Sequence, residues 1–210
     1  MFPSKTAPER IADGLIHAVS LVAFAVVSVL LLSMAAMRDE PWVLGATIIY
    51  VIAAFASVCI SFAYHLLPRH DLRPVLRRWD HAAIYIVIAG TFTPLLVLCD
   101  TWSAWALLTV IWICAGLGCV FKVFASQLDS RWSLVSYFGL GLLGLAALPD
   151  FWTQLPKATS YALLAGGVLY SIGTWYYRQK ERRFRYPIWH AWGTLGATSF
   201  VTGIWIALAA

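Results

Sequence analysis

The stretch GLIHAVSLVAFAVVSVLLLSMAAM, Gly14 to Met37, carries no Lys, Arg, Asp or Glu. A helix needs about 20 consecutive apolar residues to cross the hydrocarbon core of a bilayer, and this run exceeds that. It is also too long for the apolar region of a cleaved signal peptide, and equally apolar segments follow it, so it is read as a retained membrane span. Six further segments have the same character: about Trp42 to Leu67, His81 to Cys99, Ser103 to Phe124, Leu134 to Leu148, Ala158 to Tyr177 and Ile188 to Ala209. The fifth is the shortest. The expectation is an all-α, polytopic membrane protein, a seven-transmembrane helical bundle forming one domain over residues 1–210 with a short tail at 1–12.

Composition agrees. Of 210 residues 61% are hydrophobic and 12% charged, with a mean hydropathy of +0.76, against roughly a quarter charged in soluble domains. The net charge of +5 is distributed rather than diffuse. Thirteen of the fifteen Lys and Arg residues fall in the tail and in the second, fourth and sixth loops; Arg38 and Lys157 alone fall on the other side. The positive-inside rule then places the N-terminus in the cytoplasm and the C-terminus outside. Basicity here expresses topology and contact with anionic lipid, and calls for no nucleic acid.

Several features are assigned to packing. Cys59, Cys99, Cys114 and Cys119 form no CxxC pair and read as small buried hydrophobes. Trp42, Trp79, Trp102, Trp132, Trp152 and Trp189 stand at span ends, where an amphipathic ring anchors best. The run Gly139-Leu140-Gly141-Leu142-Leu143-Gly144 fits GxGxxG but lacks the strand that gives that motif meaning, so it is helix-packing surface. Pro94 inside span three is expected to kink it.

The histidines are different. His17, His65, His81 and His190 lie near the same end of four different spans, with Asp80 beside His81; His70 alone falls in a loop. Ionisable groups at membrane depth are costly, so several at one level point to a site. Asp13 and His17 are i,i+4, as are Ser61 and His65, and a carboxylate one turn from an imidazole can set its tautomer. Hydrogen-bonded glue between helices, a proton relay and a metal centre all fit this pattern. Zinc suits neutral imidazoles, and with three protein ligands keeps a fourth position for water.

At these residues a family resemblance emerges. Glu9-x3-Asp13-x3-His17, Ser61-Phe62-Ala63-Tyr64-His65, Trp79-Asp80-His81-Ala82-Ala83-Ile84-Tyr85 with Ala89-Gly90-Thr91-Phe92-Thr93-Pro94, Gly166 to Gly173, and Ile188-Trp189-His190 occur in order. The chain thereby resembles the hemolysin III family, which is similar to the adiponectin and progestin receptors and generally has Asn where Asp13 stands. The resemblance implies seven spans, a cytoplasmic N-terminus, zinc near the inner leaflet, and hydrolysis of lipid amides. It implies His65 and His190 as ligands, Asp80 as the group that orients water, and Ser61 nearby. Tyr186 stands where another histidine ligand is expected; His17, with Asp13 behind it, is the first replacement and His81 the second. The expected function is a metal-dependent lipid or amide hydrolase in a bacterial inner membrane, with membrane lipids as partners. The alternative is a non-enzymatic pore-forming (cytolytic), receptor-like or membrane-homeostasis protein.

Overall fold

The structure is a computed structural model that describes residues 2–124 and 131–210, without the side chains of 131–133, so Trp132 lies outside the described residues. Among the described residues it contains helices and no strand: α1 (Ala7–Ala36), α2 (Pro41–Leu66), α3 (Arg73–Cys99), α4 (Trp102–Phe124), α5 (Arg131–Leu143), α6 (Leu148–Gln154), α7 (Lys157–Tyr177) and α8 (Arg185–Ala209). A 3₁₀ turn, Gly144–Ala147, joins α5 to α6.

The outer surface of α1 shows what medium the fold is made for. Ile11, Leu15, Val19, Val22, Val26 and Val29, at helical spacing, are exposed, while Glu9, Asp13 and His17 on the opposite face are buried. In water that arrangement is inside out; in lipid it places the apolar stripe against acyl chains and the polar groups against protein. The chain is a multi-pass integral membrane protein. By length and composition six helical stretches among the described residues can cross a membrane, with Leu134–Gln154 counted as one. The expected sixth span, α7, has 21 residues, but its Tyr, Trp, Thr, Ser and Gly residues make it less apolar than the others.

Helix α3 is the central element, packing against α2, α4, α5, α6 and α8, while α1 lies between α2 and α8 and α7 packs along α8. Helices extend beyond the apolar segments. Arg73, Arg77 and Arg78, expected in a loop, form the first turns of α3, and Lys122, also expected in a loop, lies in α4 and is fully buried, over the ring of Tyr137. A capping box and a proline in the first turn start α1, and a proline in the first turn starts α2, α3 and α6. The fifth segment is interrupted where Gly144 meets the Phe92 ring and Pro149 withholds an N–H. Pro94 lies within α3 without ending it. Of the cysteines only Cys99 is buried, and Cys114 is exposed, so the expectation of four buried thiols is corrected. Trp42, Trp79, Trp102 and Trp152 are exposed.

Helix α3 approaches α2 closely at Gly90, where an added Cβ would lie 2.8 Å from the Ala53 Cβ. Gly90→Ala is therefore expected to destabilise the detergent-solubilised protein by about 1–3 kcal/mol, the cost of overpacking. Gly45→Ala, which meets nothing within 4 Å, serves as the comparison and should leave the unfolding midpoint unchanged or raised.

Candidate metal centre

The start of α1 is set by a capping box: the Thr6 N–H donates to Glu9 Oε2 (2.9 Å) and the Glu9 N–H to Thr6 Oγ1 (3.4 Å). Glu9 does more than cap. Its Oε1 accepts the N–H of Phe184 (2.9 Å), the residue with φ 56° that precedes α8. This contact ties the first turn of α1 to the start of α8. About three turns further along, Ser20 Oγ and Thr194 Oγ1 are 2.8 Å apart, so the two helices are pinned above and below the level of His17 and His190.

The end of α2 is held as firmly. The Arg73 guanidinium donates to the carbonyls of Tyr64 and, at 2.6 Å, Leu67, which are orphaned where α2 stops. His65 is consequently fixed in the last turn, 2% exposed. In the following loop Arg69 grips Asp71 at 2.8 and 3.1 Å and holds its carboxyl down to about 2. His70 of that loop stacks edge-on against Phe2 and takes no part in the centre.

Between these anchored ends sits the carboxylate of Asp13, with no exposed surface. Its Oδ1 is 2.5 Å from His190 Nδ1, and its Oδ2 is 3.1 Å from His65 Nδ1 and accepts the Ser4 hydroxyl at 3.1 Å. The His65 contact has the separation of a hydrogen bond without its alignment, and among the described residues His65 Nδ1 has no hydrogen-bond partner. The His65 and His190 rings stand perpendicular, centroids 4.4 Å apart. Asp13, His65 and His190 each bring one donor atom to within 4.8 Å of the others, a group that can hold a metal ion. Two imidazoles and one carboxylate, an unsatisfied ring nitrogen among them, fit a divalent metal with room for a further ligand.

His17 stands beside this group. Its Nδ1–H donates to the Asp13 backbone carbonyl (2.9 Å), so its Nε2 is the acceptor for the Ser61 hydroxyl (3.2 Å). The carboxylate expected to orient its own i+4 imidazole thus turns across the bundle instead, and the backbone does the orienting. Both nitrogens of His17 are engaged, with its ring 4.4 Å from that of His190. Tyr186 packs edge-on against His65 at 5.0 Å.

The remaining expected residues lie apart. His81 Nδ1 donates to the Arg77 carbonyl (2.9 Å), and Asp80 Oδ2 is 3.8 Å from that same nitrogen. Among the described residues Asp80 is not hydrogen-bonded to the three-residue group. Sequence reasoning did not find Ser4, Arg73, Ser20 or Thr194. The capping box in Thr6-Ala7-Pro8-Glu9 was a readable signal, and Ser20 and Thr194 recur one turn beyond His17 and His190.

Comparison with known proteins gives a consistent picture. The Haemolysin-III related family matches residues 7–197. The chain is similar to the Hemolysin-3 homolog of Bacillus subtilis (strain 168), 31% identical over 188 residues that cover 89% of this chain and 88% of the relative. It is also similar to Hemolysin-3 of Bacillus cereus, 29% identical over 183 residues, covering 87% and 84%.

Removing the tie between α1 and α8 tests how the centre is positioned. Glu9→Ala is expected to cost about 1–3 kcal/mol, the penalty for leaving a partly buried donor unpaired, and to speed hydrogen–deuterium exchange at residues 184–190. Exchange in the middle of α3 should not change.

Proposed function

The chain belongs to the Haemolysin-III related family, and from that premise we propose that it is a metal-dependent hydrolase of lipid amides, its centre formed by Asp13, His65 and His190. The observation that carries this reading is the convergence of two imidazoles and a buried carboxylate from three helices, with His65 Nδ1 lacking a hydrogen bond. Zinc suits this donor set, and when bound it supplies Lewis acidity toward an amide carbonyl. His65 and His190 donate ring nitrogens, and Asp13 offsets positive charge and sets the separation of the rings. Ser4 holds Asp13 Oδ2, while Ser61, through His17, steadies the backbone of the same residue. Asp80, in the second turn of α3 beside His81, is the base that takes a proton from the attacking water.

The same proposal includes a single domain of seven spans, a cytoplasmic N-terminus and an external C-terminus in a bacterial plasma membrane. Thr101, ahead of α4, hydrogen-bonds Asp150 of α6 at 2.7 Å, so α7 begins at the end of the bundle opposite the centre. His190, near the start of α8, is at the centre itself. A helix of 21 residues linking those two ends favours a seventh crossing by α7, and the distribution of Lys and Arg favours the orientation.

Cytolysis, the activity that the names of the two Bacillus relatives carry, is the competing reading. A water-filled path through one copy calls for polar side chains free to line it. The buried Ser28, Thr47, Thr91 and Thr93 instead donate to carbonyls of their own helices, at 2.7–2.8 Å. That favours a closed bundle.

Purified protein is expected to carry about one zinc per chain, lost in Asp13→Ala, His65→Ala and His190→Ala and kept in His17→Ala. Fatty-acid release from a ceramide should vanish with the zinc. In Asp80→Asn the zinc should remain while turnover falls about 10²–10⁴-fold, the usual contribution of a general base. Metal-free wild-type protein, or hydrolysis that persists in the His65 and His190 variants, contradicts the proposal.

A further inference from the structure

We propose that the cavity beside the centre, at the end of the bundle that holds the N-terminus, binds the phosphate group of a lipid headgroup. The cavity, an open cleft of about 370 Å³, is lined by the segment preceding α1 with Glu9 of its first turn, by the loop from α7 to α8 and by the first turn of α8. That volume is within the range of small-ligand sites.

Its charge is unevenly committed. Glu9 is bound to Thr6 and Phe184. Arg185 donates to the Tyr177 carbonyl (2.6 Å) and lies over the Tyr177 ring, and Arg182 donates to Gln179 (2.8 Å) and lies over Tyr176. Lys5, Lys180 and Arg183 also line the cavity, are exposed, and have no hydrogen bond or ion pair from their side chains among the described residues. Against these three cations stands one carboxylate without such a bond, Glu181.

A basic loop alone expresses only topology. Here the cations come from two separate segments and share one concave site at a helix bundle's end, where basic pockets recognise anionic headgroups. Ser4 and Tyr186 belong to both places: each lines the cavity, and they contact Asp13 and His65 respectively. A bound phosphate would thus share two residues with the surroundings of the centre. The inference is independent of whether that centre holds metal.

The test uses the full chain in nanodiscs, with retained lipid counted by native mass spectrometry, for phosphatidylglycerol against phosphatidylcholine. A parallel arm titrates inorganic phosphate into detergent-solubilised protein. Lys180→Ala and Arg183→Ala are compared with Arg178→Ala, which removes the same charge from the same loop outside the cavity. Each cavity variant should weaken phosphatidylglycerol retention about fivefold, the usual contribution of one basic side chain near anionic lipid, with Arg178→Ala unchanged. The same pattern with inorganic phosphate alone supports the site and identifies free phosphate as its source. An equal loss in Arg178→Ala, or neither a phosphatidylglycerol preference nor phosphate binding in the wild type, overturns it.

Discussion

The carboxylate of Asp13 has no exposed surface and lies in a protein whose exterior is lipid, so its charge must be met from within the bundle. It is met from three directions: His190 on α8, His65 on α2, and Ser4 in the segment before α1. The other anchoring contacts serve this one. Glu9 with Phe184 and Ser20 with Thr194 set the register of α1 against α8, and Arg73 closes the end of α2 behind His65. Moving any of these helices by a turn would leave a buried charge without partners, a penalty of several kcal/mol.

The medium explains why the site lies at one end. The stripe from Ile11 to Val29 needs only acyl chains, so α1 is free to keep its polar face for protein contact. Ser28, Thr47, Thr91 and Thr93, deeper in the bundle, turn back on their own helices. The centre instead sits where caps, loops and basic side chains can support it, within reach of the surface. His190 is partly exposed while Asp13 and His65 are buried, so the group faces outward on one side only.

Much of this was legible in the chain. Uncharged apolar runs announce the membrane helices, and the shared depth of His17, His65, His81 and His190 points to a common site, although His81 turns to the Arg77 carbonyl and lies apart from it. The partners were harder to read. An i,i+4 rule pairs Asp13 with His17 on the same helix, but only the packing of α1 between α2 and α8 reveals that its carboxylate turns away from that imidazole. Arg73 counted as a loop charge until α3 was seen to begin there, because charged residues do not mark a helix start once the apolar period ends. Ser4 lay in a tail without periodicity, and its role depends on a chain reversal that local sequence does not encode.

The account turns on Asp13 serving as the third donor beside two histidines, with Tyr186 packed against the centre rather than completing it. Anomalous diffraction at the zinc edge, from crystals of zinc-loaded protein, tests this most directly. The account predicts a single strong peak bounded by the Asp13 carboxylate and the His65 and His190 rings. A zinc-loaded crystal with no peak there, or with its zinc held by other residues and Asp13 bound only to the histidines, would contradict it.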